Sequence, residues 1–149
     1  MNLLQLIGND GVVITNENNL SVNEALTLAC TTLIDRGSIE QSYLDAIIEK
    51  HHEIGPYYVL APKIAMPHAR PEDGVNFPAL QLTVFKNGID FGSTDNGDVF
   101  FSITLAAKDS DNHIETIMAL SELFQNNDDI EKIINANSIE DIIPILERY

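Results

Sequence analysis

Between Pro62 and Gly74 the chain carries three prolines, Pro62, Pro67 and Pro71, and no regular helix can pass through such a stretch. Each proline lacks an amide hydrogen and fixes its own φ. The segment therefore divides a helical front from a strand-rich middle. In front of it, Ser21 and Glu24 form a capping-box pattern, and Val22, Ala25, Leu26, Ala29 and Leu33 recur at helical spacing up to Gly37. This predicts a helix over roughly 22–36. Ser38 with Gln41 repeats the start signal, and Ile39, Tyr43, Ala46 and Ile47 carry a second helix to about His52, where Gly55-Pro56 stops it. Tyr57-Tyr58-Val59-Leu60 is a short β-prone run.

Behind the proline segment, Ala79 to Phe85 alternates apolar and polar residues as a strand does, and Asn87-Gly88 is read as the turn that ends it. Val99 to Leu105 is a second strand. Asp109-Ser110-Asp111-Asn112 gathers helix-capping residues, and Ile114, Ile117, Met118, Ser121 and Phe124 follow on one predicted face. Asn127 and Ser138 are read as caps of two further helices, the last containing Pro144. Helices, then strands and a loop, then helices again imply an α/β chain with one sheet and helices packed against it. With 149 residues, 44% of them hydrophobic, the chain can close one well-buried core, so residues 1–149 are expected to form a single domain.

Lysines and arginines number 8 against 23 aspartates and glutamates, a formal net charge of −15. That balance argues against nucleic acid or an anionic membrane as partner. The acidity alternates with apolar runs and reads as a solvated exterior on a folded body. The one cysteine, Cys30, excludes an internal disulfide, and its apolar surroundings mark a small buried hydrophobe. Met1 to Gln5 lack the marks of a signal peptide, and no run reaches the roughly 20 apolar residues of a membrane span. A cytoplasmic location without membrane insertion is the expectation.

Chemistry near neutral pH falls to four histidines. His51 and His52 are adjacent at a predicted helix end, where neighbours point about 100° apart and do not grip one ion. A surface position near the helix C-terminus suits them. His68 stands in Ile64-Ala65-Met66-Pro67-His68-Ala69-Arg70-Pro71-Glu72-Asp73-Gly74, held between two stiffened points. Imidazole is a good nucleophile near neutral pH, and a phosphoryl group on its nitrogen stays readily transferable. Such transfer asks chiefly for positioning and charge stabilisation, which Arg70 or Lys63 could supply. His113 falls in the first turn of a predicted helix, where free N–H groups favour an anion; it gains a role only if the fold brings it to His68. A metal-dependent hydrolase is the alternative from another class, disfavoured because no His-x-x-x-His or similar ligand spacing is present.

Gly55 to Pro62, then Ile64 to His68 and Arg70 to Val75, resemble the active-site stretch of enzyme IIA of the bacterial sugar phosphotransferase system, mannitol/fructose class, and are most similar to its ascorbate-specific branch. Ala106 to His113 resembles the segment that carries the family's second histidine. The resemblance implies a single mixed β-sheet flanked by helices on both faces, with His68 and His113 meeting in a shallow depression. It further implies that His68 accepts a phosphoryl group from phospho-HPr and donates it to a cysteine of a separate enzyme IIB, with the membrane enzyme IIC engaged only indirectly. His113 would hydrogen-bond the phosphoryl oxygens, and neither metal nor organic cofactor is implied. Where many relatives carry an arginine at the end of the second helix, the nearest counterpart here is Lys50, a point charge where arginine offers a planar fork. Met66 and Phe77 are the expected docking residues, inside an acidic rim. Ascorbate or a related sugar acid or polyol is the implied cargo, and a regulatory module that reports phosphorylation state is the alternative within the same fold.

Overall fold

The structure, a computed structural model, describes residues 2–108 and 110–149, with the side chains of all of these except residues 110–113. In order come α1 (Leu3–Ile7), β1 (Val12–Thr15), α2 (Val22–Leu28), α3 (Thr31–Asp35), α4 (Gln41–Ile54), β2 (Val59–Ala61), β3 (Lys63–Ala65), β4 (Ala79–Ile89), β5 (Val99–Ala106), α5 (Ser110–Phe124), α6 (Asn127–Ile134) and α7 (Ile139–Leu146). Five strands form one sheet in the order β1-β4-β5-β3-β2. β1 and β3 run parallel to their neighbours β4 and β5, whereas β4 with β5 and β2 with β3 are antiparallel. The sheet is therefore mixed.

Alternation along β4 splits the interior in two. Leu80, Leu82 and Val84 face a layer built from α1, α5, α6 and α7, with Leu3, Ile7, Leu120, Leu123, Ile133 and Leu146 buried against them. Ala79 and Phe85 face the other way, toward α2, α3 and α4, where Leu26, Leu33, Tyr43 and Ile47 are buried. Helices thus cover both faces, as the resemblance implied.

The single helix predicted over 22–36 is broken at Ala29-Cys30 into α2 and α3. A break frees backbone groups that must find partners elsewhere. Buried Gln81 of β4 supplies them: its Nε2 donates to Leu28 O (2.8 Å), and its Oε1 accepts from Thr32 N (2.9 Å). Thr104 of β5 donates its hydroxyl to Ala29 O (2.6 Å). The sheet's polar residues, more than forty positions away in sequence, hold the kink.

Other boundaries move for local reasons. The second helix begins at Gln41 with Glu40 in the cap position, because the Ser38 hydroxyl instead donates to Phe77 O (2.8 Å). β4 runs through Asn87-Gly88 to Ile89, with a register shift against β5 between Val84 and Ile89, so the predicted turn is an irregularity inside a strand. Asn126 rather than Asn127 caps α6, its Oδ1 accepting from Asp129 N (3.1 Å). Ser138 occupies the cap position of α7, and Pro144 lies inside that helix. Among the described side chains of α5 the buried ones are Leu120 and Leu123, and Ile114 and Met118, placed on one apolar face by sequence, are 57% and 61% exposed. Cys30 is buried, and burial pushes its thiol pKa up to about 12, which makes it inert. Among the described residues no helix is long and apolar enough to cross a membrane.

Gln81→Leu should lower unfolding free energy by about 1–3 kcal/mol in urea titration, since it strands the Thr32 amide, while Leu28 O keeps the Thr31 hydroxyl (2.9 Å). A loss below about 0.5 kcal/mol, the range of an ordinary surface change, would contradict this account of the break.

Candidate functional site

The loop that carries His68 is pinned residue by residue. Met66 N donates to Tyr58 O (2.8 Å) of the chain entering β2, and Leu105 N, near the end of β5, donates to Pro67 O (3.0 Å). The Tyr43 hydroxyl of α4 donates to Leu105 O (2.6 Å) and accepts from Ala69 N (3.0 Å). One buried hydroxyl thus joins helix, strand and loop. Burial pushes the Tyr43 pKa far above its ordinary value, so this group keeps its proton. The Tyr57 hydroxyl donates to His68 O.

Beyond His68 the chain tightens into one 3₁₀ turn, Pro71–Asp73, with proline at its start and Arg70 N donating to Asp73 Oδ2 (2.9 Å). Gly74 closes the turn at φ 140°, and a Cβ there would lie 2.7 Å from Ser42 Oγ of α4. Ser42 Oγ donates to Asp73 O (2.7 Å), and Glu40 N donates to Gly74 O (2.9 Å). The loop is therefore anchored to α4 at both ends.

Within this frame the half-buried His68 ring places Nδ1 2.8 Å from Met66 O. A carbonyl only accepts, so Nδ1 must carry the proton, and in the neutral ring Nε2 keeps its lone pair. Tyr57 packs against the imidazole edge to face, with ring centroids 5.6 Å apart and planes at 80°. Lys50 Nζ lies 4.8 Å from the centre of the same Tyr57 ring.

The predicted residues fall out as follows. Arg70 is exposed beside His68, with no carboxylate partner among the described residues. Lys63, by contrast, is engaged by Glu131 of α6 at 2.8 Å; its charge serves that ion pair rather than the histidine. Met66 is partly buried against the core, and Phe77 is 40% exposed. His113 belongs by its backbone to the first turn of α5, and its side chain lies outside the described residues. The other histidine pair has its own partners: His51 Nδ1 takes the Tyr58 hydroxyl (2.8 Å), and His52 Nε2 contacts Asn23 Oδ1 (3.1 Å). Among the described residues no group of three or more histidine, cysteine or carboxylate side chains could hold a metal ion.

The sequence assigned no role to Tyr43 beyond an apolar helix position, and none to Tyr57 beyond a β-prone run within the resembling stretch Gly55 to Pro62. It also missed Lys108, whose ammonium donates to Asn76 O (3.0 Å) next to Phe77. Nor is the rim purely acidic, since Lys50, Arg70 and Lys108 stand on or next to this loop together with Glu72 and Asp73. Four of the remaining cations are tied down elsewhere: Arg36 and Lys86 cap helix carbonyls, and Lys63 and Arg148 pair with carboxylates.

Comparison with known proteins gives the class: phosphotransferase components that carry a phosphoryl group between proteins. The chain belongs to the phosphoenolpyruvate-dependent sugar phosphotransferase system EIIA 2 family, whose model matches residues 6–149. It is 38% identical over 125 residues, 84% of each chain, to the mannitol-specific cryptic phosphotransferase enzyme IIA component of Escherichia coli. A solution structure bearing that name superposes with a TM-score of 0.88 at 34% identity over the full length of both chains. The ascorbate-specific EIIA component of Escherichia coli is 32% identical over 126 residues, covering 84% of this chain and 82% of that one. The complex of enzyme IIA-mannitol with phosphorylated enzyme IIB-mannitol from Escherichia coli shares the fold, with a TM-score of 0.80 at 22% identity, covering 95% and 97% of the two chains.

Tyr43→Phe should cost about 1–3 kcal/mol, because Leu105 O and Ala69 N lose their shared partner inside the protein. Hydrogen exchange should show the Ala69 amide losing protection. Unchanged protection would mean that this hydroxyl does not hold the loop.

Proposed function

We propose that His68 is the phosphoryl acceptor of this family member, and that it takes the group from phospho-HPr and passes it to a cysteine of a separate enzyme IIB. The observation that carries the reading is the Nδ1 contact to Met66 O, which leaves Nε2 as the free nucleophile in a stiff, half-exposed loop. In the first step the Nε2 lone pair attacks phosphorus, the bond from phosphorus to the carrier's histidine nitrogen breaks, and that nitrogen leaves with the electron pair. In the second, a cysteine thiolate attacks the same phosphorus and Nε2 departs with its lone pair. Arg70 supplies positive charge to the dianionic group, and the N-terminal end of α5, with His113, supplies donors and a favourable dipole. That helix begins only a few residues after Leu105, which is itself bonded to the loop.

Docking is proposed to use exposed apolar side chains near this loop and along α5, with Phe77 joined by Ile114 and Met118 one helical turn apart. The location consistent with such partners is the cytoplasm, and enzyme IIC is engaged only through IIB. The cargo is a sugar acid or polyol, since both mannitol- and ascorbate-named relatives fall at similar distance.

The test is to mix phosphorylated HPr with the protein. Label should appear on histidine, acid-labile and base-stable, and His68→Ala should abolish it; label on serine or aspartate, or a labelled variant, would overturn the mechanism. His113→Ala should still accept the group but transfer it on the order of tenfold to a hundredfold more slowly, as when one stabilising donor is lost. Unchanged kinetics would remove His113 from the mechanism.

A further inference from the structure

Nothing in the proposed chemistry requires Tyr57, yet this residue touches the histidine twice. Its hydroxyl donates to the His68 carbonyl and its ring lies against the imidazole at 5.6 Å. We propose that Tyr57 is a positioning residue for phosphoryl transfer, holding the His68 ring in the one orientation that keeps Nδ1 on Met66 O and Nε2 open to the partner. This rests on the reading of His68 as phosphoryl acceptor.

The Nδ1 contact restrains the ring about its χ2 bond only while that one hydrogen bond holds. A half-turn would break it and exchange Nε2 for Cε1, presenting a carbon where the nucleophile stood. A second contact, on the ring itself, removes that freedom. Tyr57 is fit for the task because it is itself held. Its amide donates to Gly55 O (2.8 Å), its ring packs edge to face on buried Tyr58 at 5.1 Å, and Lys50 covers it at 4.8 Å. Burial raises its hydroxyl pKa to about 12, so it remains a donor throughout the neutral range. The hydroxyl acts on the loop backbone and the ring acts on the imidazole, so the two contacts can be removed separately.

The experiment compares the full-length protein with Tyr57→Leu and Tyr57→Phe. Two readouts are used: ¹⁵N shifts of the His68 ring nitrogens in the unphosphorylated protein, and the rate of transfer from phospho-HPr. Wild type should show one Nδ1–H tautomer. Tyr57→Leu should show a tautomer mixture and transfer at least about tenfold slower, given that misplacement by an ångström can cost on the order of a hundredfold. Tyr57→Phe keeps the ring and should recover the single tautomer, with transfer slowed about threefold for one lost hydrogen bond.

Slow transfer in Tyr57→Leu with an unchanged ¹⁵N pattern would overturn the proposal and assign Tyr57 to partner docking. Wild-type tautomer and rate in both variants would overturn it as well. Should Tyr57→Leu fail to fold, an unchanged rate in Tyr57→Phe decides against it. The tautomer readout needs no phosphoryl donor, so a wild-type protein that takes no label on His68 sinks the relay reading by a separate result.

Discussion

A single contact, Nδ1 of His68 on the carbonyl of Met66, is the constraint on which the proposed chemistry depends. It puts the imidazole proton on one nitrogen and the lone pair on the other. The contact exists only because Met66 is fixed to Tyr58, Pro67 to Leu105 and Ala69 to Tyr43, so that carbonyl and ring are both held. Prolines on either side of the histidine limit the backbone before any tertiary bond forms, and the hydrogen bonds then select one arrangement. The two cores above and below the sheet matter to function through what they immobilise: α4, which brings Tyr43 and Ser42, and the end of β5, which brings Leu105.

A phosphocarrier has little covalent chemistry to perform and much positioning. In the proposed mechanism, rigidity at the nucleophile and adaptability at the docking surface are different demands. The site separates them. His68 sits in a cage of backbone bonds, whereas Phe77, Ile114 and Met118 are exposed apolar side chains. Charge is separated in the same way. Most cations with clear partners support helix ends or surface pairs, and Arg70 is left without a carboxylate partner among the described residues.

Sequence made His68 visible as a candidate because the signal was local. Three prolines around one histidine constrain the loop within a dozen positions, and the alternating strand Ala79 to Phe85 follows it. The features that sequence missed depend on distant partners. The break between α2 and α3 is invisible in a continuous helical pattern, since Gln81 and Thr104 satisfy the freed groups from the sheet. β3 is three residues between prolines and exists through its pairing with β2 and β5. Tyr43 and Tyr57 look like core aromatics until the fold shows where their hydroxyls end. Ile114 and Met118 fit an apolar helical stripe, but the buried stripe is the one through Leu120 and Leu123.

Which nitrogen of His68 bears the phosphoryl group decides the proposed mechanism. With ¹⁵N-labelled histidine, NMR of the phosphorylated protein reads the phosphorus coupling at each His68 ring nitrogen directly. Coupling at Nε2, with Nδ1 still protonated, is the predicted spectrum. A phosphorus bound to Nδ1 would mean that the Met66 contact does not select the nucleophile, and the mechanism built on it would be wrong.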